Sequence, residues 1–176
     1  MLTLVPLAEL HFATLASWFP TEADLIQWGG PFINFPLDDR QLRAMVAETM
    51  AAPPTRLCWM ADDAASSIGH AQLGLDWRNG VALLSRVAIA PQARGRGLAT
   101  PMLRLVLEEA FAVTDVARVE LNVYAWNRPA IRTYERLGFR MEGTRRSSAR
   151  VGNERWDTAT MGLLRDEWQA HADQDV

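Results

Sequence analysis

The 176-residue chain is long enough for one domain with a real core and short for two. With 49% hydrophobic and 22% charged residues it sits near the globular average, which excludes a disordered chain. A formal charge of −3 argues against a general nucleic-acid binder, which needs a basic face to neutralise phosphates, but leaves room for local basic sites.

In chain order, residues 2–6 form a short apolar segment suited to a first strand. Leu7, Leu10, Phe12, Leu15 and Phe19 then mark a rough helical stripe over 7–19. Thr21 or Asp24 starts a short helix that stops at Gly29-Gly30-Pro31. Asp38 is suited to cap a helix over 39–51, which ends before Pro53-Pro54. Residues 56–61 and 67–77 read as strands separated by the polar turn Asp62-Asp63-Ala64-Ala65-Ser66. Arg78-Asn79-Gly80 contains a hairpin-turn pair, and the nearly all-apolar strand 81–90 predicts burial on both faces before Pro91 ends it.

A helix over 98–113, a strand over 117–124, a helix over 129–137 and a strand over 139–150 follow. Gly152-Asn153 turns the chain into a last strand near 155–164. Hairpin strands mixed with strand-helix-strand crossovers predict a single α+β domain over 1–176, with a mixed, mostly antiparallel sheet flanked by helices.

Cys58 is the only cysteine, so an internal disulfide and a thiolate metal cluster are excluded. His11, His70 and His171 show no ligand spacing, and no metal is expected. No stretch holds 18 consecutive apolar residues and the N-terminus lacks a signal pattern, so a soluble cytoplasmic protein without a membrane partner is the expectation.

The most informative segment is Gln92-Ala93-Arg94-Gly95-Arg96-Gly97-Leu98-Ala99, which joins a strand to a helix. A helix start has backbone N–H groups without partners and a partial positive charge, which favour an anion. Gly95 and Gly97 remove side chains that would hold a phosphate away, while Arg94 and Arg96 add charge. Pro101 costs no bond in the first helical turn. An ordinary strand-to-helix turn with two solvated arginines is the simpler reading of the same residues. A P-loop is excluded by the missing Gly-Lys-Ser/Thr, and a Rossmann fingerprint by Leu98-Ala99-Thr100 after Gly97.

This loop, with Val87-Ala88-Ile89-Ala90-Pro91 before it, resembles the Q/R-x-x-G-x-G/A acetyl-CoA loop of the GNAT N-acetyltransferase superfamily. Downstream, Asn127-Arg128-Pro129-Ala130-Ile131-Arg132-Thr133-Tyr134-Glu135-Arg136-Leu137-Gly138-Phe139 is similar to the superfamily's N-x-x-A-x-x-x-Y-x-x-x-G-F segment. The resemblance covers about residues 66–164. It implies the GNAT acyltransferase fold, acetyl-CoA as co-substrate, and transfer of acetyl to a primary amine of a small molecule or peptide N-terminus.

It further implies that Gln92, Arg94, Gly95, Arg96, Gly97, Leu98 and Ala99 hold the pyrophosphate. Val87 and Ile89 would offer backbone groups to the pantetheine arm, where the fourth and fifth strands splay apart. Asn127 is suited both to cap its helix and, as in the family, to contact the cofactor. Tyr134 either packs with Ile131 and Leu137 or, matching the family tyrosine near the sulfur, acts as general acid.

The base stays open. Where some members carry a glutamate, five residues before the asparagine, this chain has Asn122, which cannot accept the proton. Glu120 shares its strand face, Glu154 is more remote, and a water path is an equal option.

On the acceptor side the resemblance points to Trp28, Phe32 and Phe35 on their glycine-proline loop and to Asp157. Asp24, Asp157 or Glu154 would attract a cationic amine. The same aromatics are equally suited to closing the core. A loop over 28–36 that closes the cleft would indicate a small amine, and an open groove a peptide. A non-catalytic acyl-CoA-binding sensor or assembly module is the alternative from another class. A monomer and a homodimer are both compatible with the sequence.

Overall fold

The computed structural model describes residues 1–63 and 66–172. Ala64 and Ala65 of the expected turn, and the side chain of His171, lie outside the described residues. The elements are β1 (Thr3–Pro6), α1 (Phe12–Ser17), α2 (Glu22–Gly29), α3 (Asp39–Thr49), β2 (Arg56–Asp62), β3 (Ser67–Asp76), β4 (Val81–Ile89), α4 (Ala99–Ala112), β5 (Arg118–Tyr124), α5 (Arg128–Arg136), β6 (Arg140–Val151), β7 (Glu154–Leu164) and α6 (Arg165–Ala172). They build one seven-stranded sheet in the order β1-β2-β3-β4-β5-β7-β6, in which β4 and β5 alone pair in parallel. This is the mixed, mostly antiparallel sheet flanked by helices expected from the sequence.

Local chemistry explains most of the boundaries. Thr21 Oγ1 accepts from the Asp24 amide at 3.2 Å to start α2, and Gly30, at φ 79°, ends it. The Asp38 carboxylate accepts from the Gln41 amide at 2.9 Å to start α3, and that hydrogen bond holds its pKa below the usual carboxylate value. The expected helix over 7–19 is shorter. His11 Nδ1 accepts from the Ala8 amide at 3.0 Å and fixes a 3-10 turn, so the α-helix begins only at Phe12.

The closing helix α6 has no counterpart among the sequence expectations. It is held because Arg165 donates to the carbonyls of Phe111 at 2.8 Å and Val113 at 2.6 Å, satisfying the C-terminal end of α4. Trp168 stacks on Phe111 at 6.1 Å.

Residues in register share a face of the sheet. One face carries Leu57, Leu73, Leu84, Leu121 and Met161, in line across five strands, and α4 covers it. The other carries Cys58, Gln72 and Ser85, beneath α2 and α3. Apolar residues from both faces make the core.

The expectation of a doubly buried β4 is corrected by the structure. Burial alternates as far as Leu84, and residues from Ser85 to Ile89 are only half-buried. Two features cause this. The β4–β5 ladder stops at the pair Leu84↔Leu121, after which the strands diverge. Beyond it, a register shift against β3 leaves one extra residue on β4, with Arg86 in the left-handed region at φ 51°.

Candidate active site

The divergence of β4 from β5 opens a cleft of about 800 Å³ that passes between the strands. On the α4–α5 side it is lined by Val87, Ala88, Ile89, Arg94, Ala99, Asn127 and Tyr134. On the α2 side it is lined by Asp24, Trp28, Phe32, Arg56, Ser85 and Arg86. The cleft therefore joins two anticipated sites and adds residues that the sequence reading missed.

At the glycine loop, Gly95 and Gly97 adopt φ 75° and 73°, and an added Cβ at either would meet nothing within 4 Å. Their requirement for glycine is thus conformational, and the space in front of the loop is open. Among the described residues, the amides of Gly95, Arg96, Gly97 and Leu98 donate to no protein acceptor. Four adjacent backbone donors before α4 without a protein acceptor are suited to an anion. Gln92, Arg94 and Arg96 are exposed beside them, and the Arg94 Nε donates to the Ile89 carbonyl at 3.2 Å.

Asn127 caps α5, its Oδ1 accepting from the Ala130 amide at 3.3 Å, while the residue lines the cleft. Tyr134 lies two turns further on, buried, with its ring edge-on to Phe139 at 5.8 Å. No group among the described residues hydrogen-bonds its hydroxyl. Burial raises the phenol pKa well above its ordinary value, so the hydroxyl keeps its proton at neutral pH.

The structure separates the two β5 candidates. Asn122 is the first β5 residue past the last β4–β5 pair, and it lines the cleft, its Oδ1 accepting from Arg145 Nη2 at 2.9 Å. Glu120 shares the face but lies within the paired ladder, opposite Leu83, and does not line the cleft. Its carboxylate is taken by Arg118 Nε at 3.1 Å, and Arg118 also binds Glu142.

The acceptor-side candidates also part. Trp28 is buried and lines the cleft, stacked on Phe19 at 4.6 Å, so core packing and cleft wall are one role. Phe32 is 97% exposed at the cleft, and Phe35 is half-exposed and outside the lining. Asp157 does not line the cleft. Its Oδ1 accepts from the Ser147 amide at 2.7 Å and braces the irregularity of β6, where Ser147 has φ 55°. Glu154 is likewise outside the lining and accepts from Trp156 Nε1 at 2.9 Å.

Beneath Trp28 lies a polar cluster that was not anticipated. Gln72 Oε1 accepts from Arg86 Nη1 at 2.9 Å and from Arg56 Nη1 at 3.2 Å, and Gln72 Nε2 lies 3.0 Å from His70 Nε2. Arg56 Nε is paired with Glu48 at 2.9 Å. Burial, with a smaller contribution from Arg86, pulls the His70 pKa down to about 3, so its ring stays neutral. The one available signal was Arg86 itself, a charge inside an otherwise apolar run.

Two negative observations bound the chemistry. Cys58 is buried away from the cleft, and desolvation pushes its thiol up to about 12, so it carries no thiolate. Among the described residues, no three His, Cys, Asp or Glu side chains group as metal ligands, and no helix is long and apolar enough to cross a membrane.

Comparison with known proteins gives concordant results. The model of the acetyltransferase (GNAT) family matches residues 20–139. The SPbeta prophage-derived uncharacterized N-acetyltransferase YokL of Bacillus subtilis (strain 168) is 28% identical over 138 residues, 78% of this chain and 77% of that protein. The L-amino acid N-acetyltransferase AaaT of Escherichia coli (strain K12) is 29% identical over 100 residues, 56% of this chain and 62% of the relative. The spermine/spermidine N(1)-acetyltransferase of Bacillus subtilis (strain 168) is 32% identical over 82 residues, 43% and 54% of the two chains. Among solved structures, spermidine N-acetyltransferase from Vibrio cholerae in complex with CoA and spermine superposes with a TM-score of 0.82. It covers 96% of this chain and 98% of that one at 19% identity, a likeness of fold.

Proposed function

The chain belongs to the GNAT family of acetyltransferases and is an N-acetyltransferase, and from that premise we propose that it moves acetyl from acetyl-coenzyme A to a primary amine of a small molecule by direct attack. The observation that carries the reading is a pair of unsatisfied donor sets, one between the cleft-lining residues Arg94 and Ala99 and the other on the cleft-lining Tyr134. The free amides of Gly95, Arg96, Gly97 and Leu98 precede α4, and the unpartnered Tyr134 hydroxyl faces the cleft that α4 borders.

The donor residues fit their ligand. The four amides, with Arg94 and Arg96, suit a pyrophosphate. The β4 edge left by the diverging β5 has main-chain groups for the pantetheine amides at Val87 and Ile89. Asn127 adds a side-chain amide at the start of α5.

Direct attack is supported by the state of Cys58, which is buried and un-ionised and so is no nucleophile for a covalent acetyl-enzyme. Tyr134 holds its proton and would donate it toward the departing sulfur. Glu120 is held by Arg118 outside the cleft and Asn122 cannot take a proton, which favours water as the path by which the amine loses its own. Trp28, Gly29, Gly30, Pro31 and Phe32 line the cleft, which favours a small molecule over a peptide. The relatives' names, spanning L-amino acids and polyamines, point the same way.

Calorimetric titration with acetyl-CoA and thiol release across a panel of amines and peptides test the proposal. The expected result is saturable acetyl-CoA binding, with thiol released by small amines in preference to peptides. Absence of acetyl-CoA binding would overturn it.

A further inference from the structure

We propose that the acceptor amine also carries a carboxylate, and that Arg86 and Ser85 receive it at the apex of the cleft; this rests on the acetyl-transfer reading above. The charge of the cleft is the starting point. Among the described residues its lining contains Arg56, Arg86, Arg94 and Arg145 but only one acid, Asp24. Asp24 already accepts from the Thr21 hydroxyl at 2.5 Å at the start of α2. Arg94 belongs to the glycine loop and the donor half. That leaves three cations on the acceptor half.

The three are not equivalent. Arg56 has its counter-charge in Glu48, and Arg145 rests on the neutral Asn122. Arg86 is largely withdrawn from solvent, yet among the described residues no carboxylate forms an ion pair or hydrogen bond with it. Its guanidinium shares the neutral Gln72 Oε1 with Arg56, and it lies 6.0 Å from the Trp28 ring. His70 on the same network is neutral and brings no negative charge. Burial and the neighbouring Arg56 oppose the charge on Arg86, and the charge of Glu48, itself paired with Arg56, offsets this only in part. Such a cation is costly unless a negative partner arrives.

Beside it, Ser85 Oγ is a buried hydroxyl with no hydrogen-bond partner. Ser85 is the first β4 residue past the last β4–β5 pair, so both residues stand where the strands part. A guanidinium with free N–H groups, on the residue that follows an unsatisfied O–H in β4, suits a carboxylate able to accept from both. Trp28 and Phe19 give the rest of this wall an apolar surface. A polyamine would bring positive charge to a site where cations outnumber acids, and like charges there select against it.

The test uses the whole chain with acetyl-CoA and three classes of amine: free L-amino acids, the corresponding primary amides, and spermidine. The acids are expected to show kcat/KM at least about tenfold above their amides, with most of the difference in KM. Arg86→Met is expected to bring that ratio close to one while acetyl-CoA affinity, read by calorimetry, is retained. Ser85→Ala, a smaller change in the fold, is expected to lower the ratio severalfold. Amides or spermidine used as well as the acids, with acetyl-CoA bound, would overturn the carboxylate site alone. Acetyl-CoA binding with no thiol release from any acid counts against it equally. Absence of acetyl-CoA binding would instead remove the acetyl-transfer reading beneath it.

Discussion

The indole Nε1 of Trp28 donates to the carbonyl oxygen of Arg86 at 2.6 Å, tying the last turn of α2 to the bulged residue of β4. Trp28→Phe keeps an aromatic ring against Phe19 but leaves that carbonyl without its donor. The expected loss is about 1–2 kcal/mol of unfolding free energy, from a part-buried hydrogen bond. Urea unfolding reads the loss, and a rise in acceptor KM at unchanged acetyl-CoA affinity would place its functional effect on the α2 side.

Gly95→Val and Gly97→Val each force a β-branched residue into positive φ. Each is expected to weaken acetyl-CoA binding at least about tenfold, because the amide array must rearrange to relieve the strain. The Cβ itself meets nothing, so the thermal midpoint should move far less than the binding constant. Titration beside a melting curve separates the two, and unchanged affinity would remove the loop from the donor site.

Tyr134→Phe deletes one hydroxyl that no group among the described residues engages, so little stability depends on it. Turnover is expected to fall about 10–100-fold with acetyl-CoA affinity nearly constant. Equal turnover of the two proteins would leave Tyr134 only its contact with Phe139.

Glu120→Gln separates a carboxylate base from a structural one. With Glu120 held by Arg118 and partly exposed, the change is expected to cost less than about 1 kcal/mol and to leave the pH profile of kcat/KM in place. Loss of the acidic limb of that profile would return Glu120 to the chemistry.

His70 imposes a direction on the acid stability. Its folded pKa of about 3 lies below the ordinary value of 6.5, through burial first and the Arg86 charge second. Between those values the unfolded chain binds a proton that the folded one does not, so stability rises with pH across that window. As pH falls from 6.5 toward 3 the expected loss is about 1.4 kcal/mol per unit, and it levels off below. The pairs at Asp38, Asp76 and Glu142 act only lower down, near the carboxylate range. Denaturant midpoints at pH 7 and pH 5, for wild type and His70→Gln, isolate the histidine contribution.

The parts of the site that were legible in the sequence depend on local chemistry. Gly95, Gly97 and the cap at Asn127 act through their own backbone and their immediate neighbours, so residue type and position suggested their conformations, while the family resemblance supplied the ligand. Ser85, Arg86 and Gln72 were not legible, because their meeting requires a register shift between β3 and β4 and a ladder that ends at Leu84↔Leu121. Neither is encoded in a window of a few residues. The same ladder explains why Glu120 and Asn122, alike by period-two alternation, differ in the fold: one precedes the parting of the strands and the other follows it. Asp157 and Glu154 were named for their charge, but hydrogen bonds to Ser147 and Trp156 occupy them.

The sheet order also constrains how the protein is made. β7, the last strand to be synthesised, lies between β5 and β6, which have no ladder to each other. Until residues 154–164 leave the ribosome, β5 presents an open edge and β6 has nothing to pair with. Nascent chains stalled before that point hold two bare strand edges, the condition under which chains recruit one another. Arg145 and Thr158 reach the cleft from β6 and β7, so the cleft wall is completed at the same late step that removes those edges.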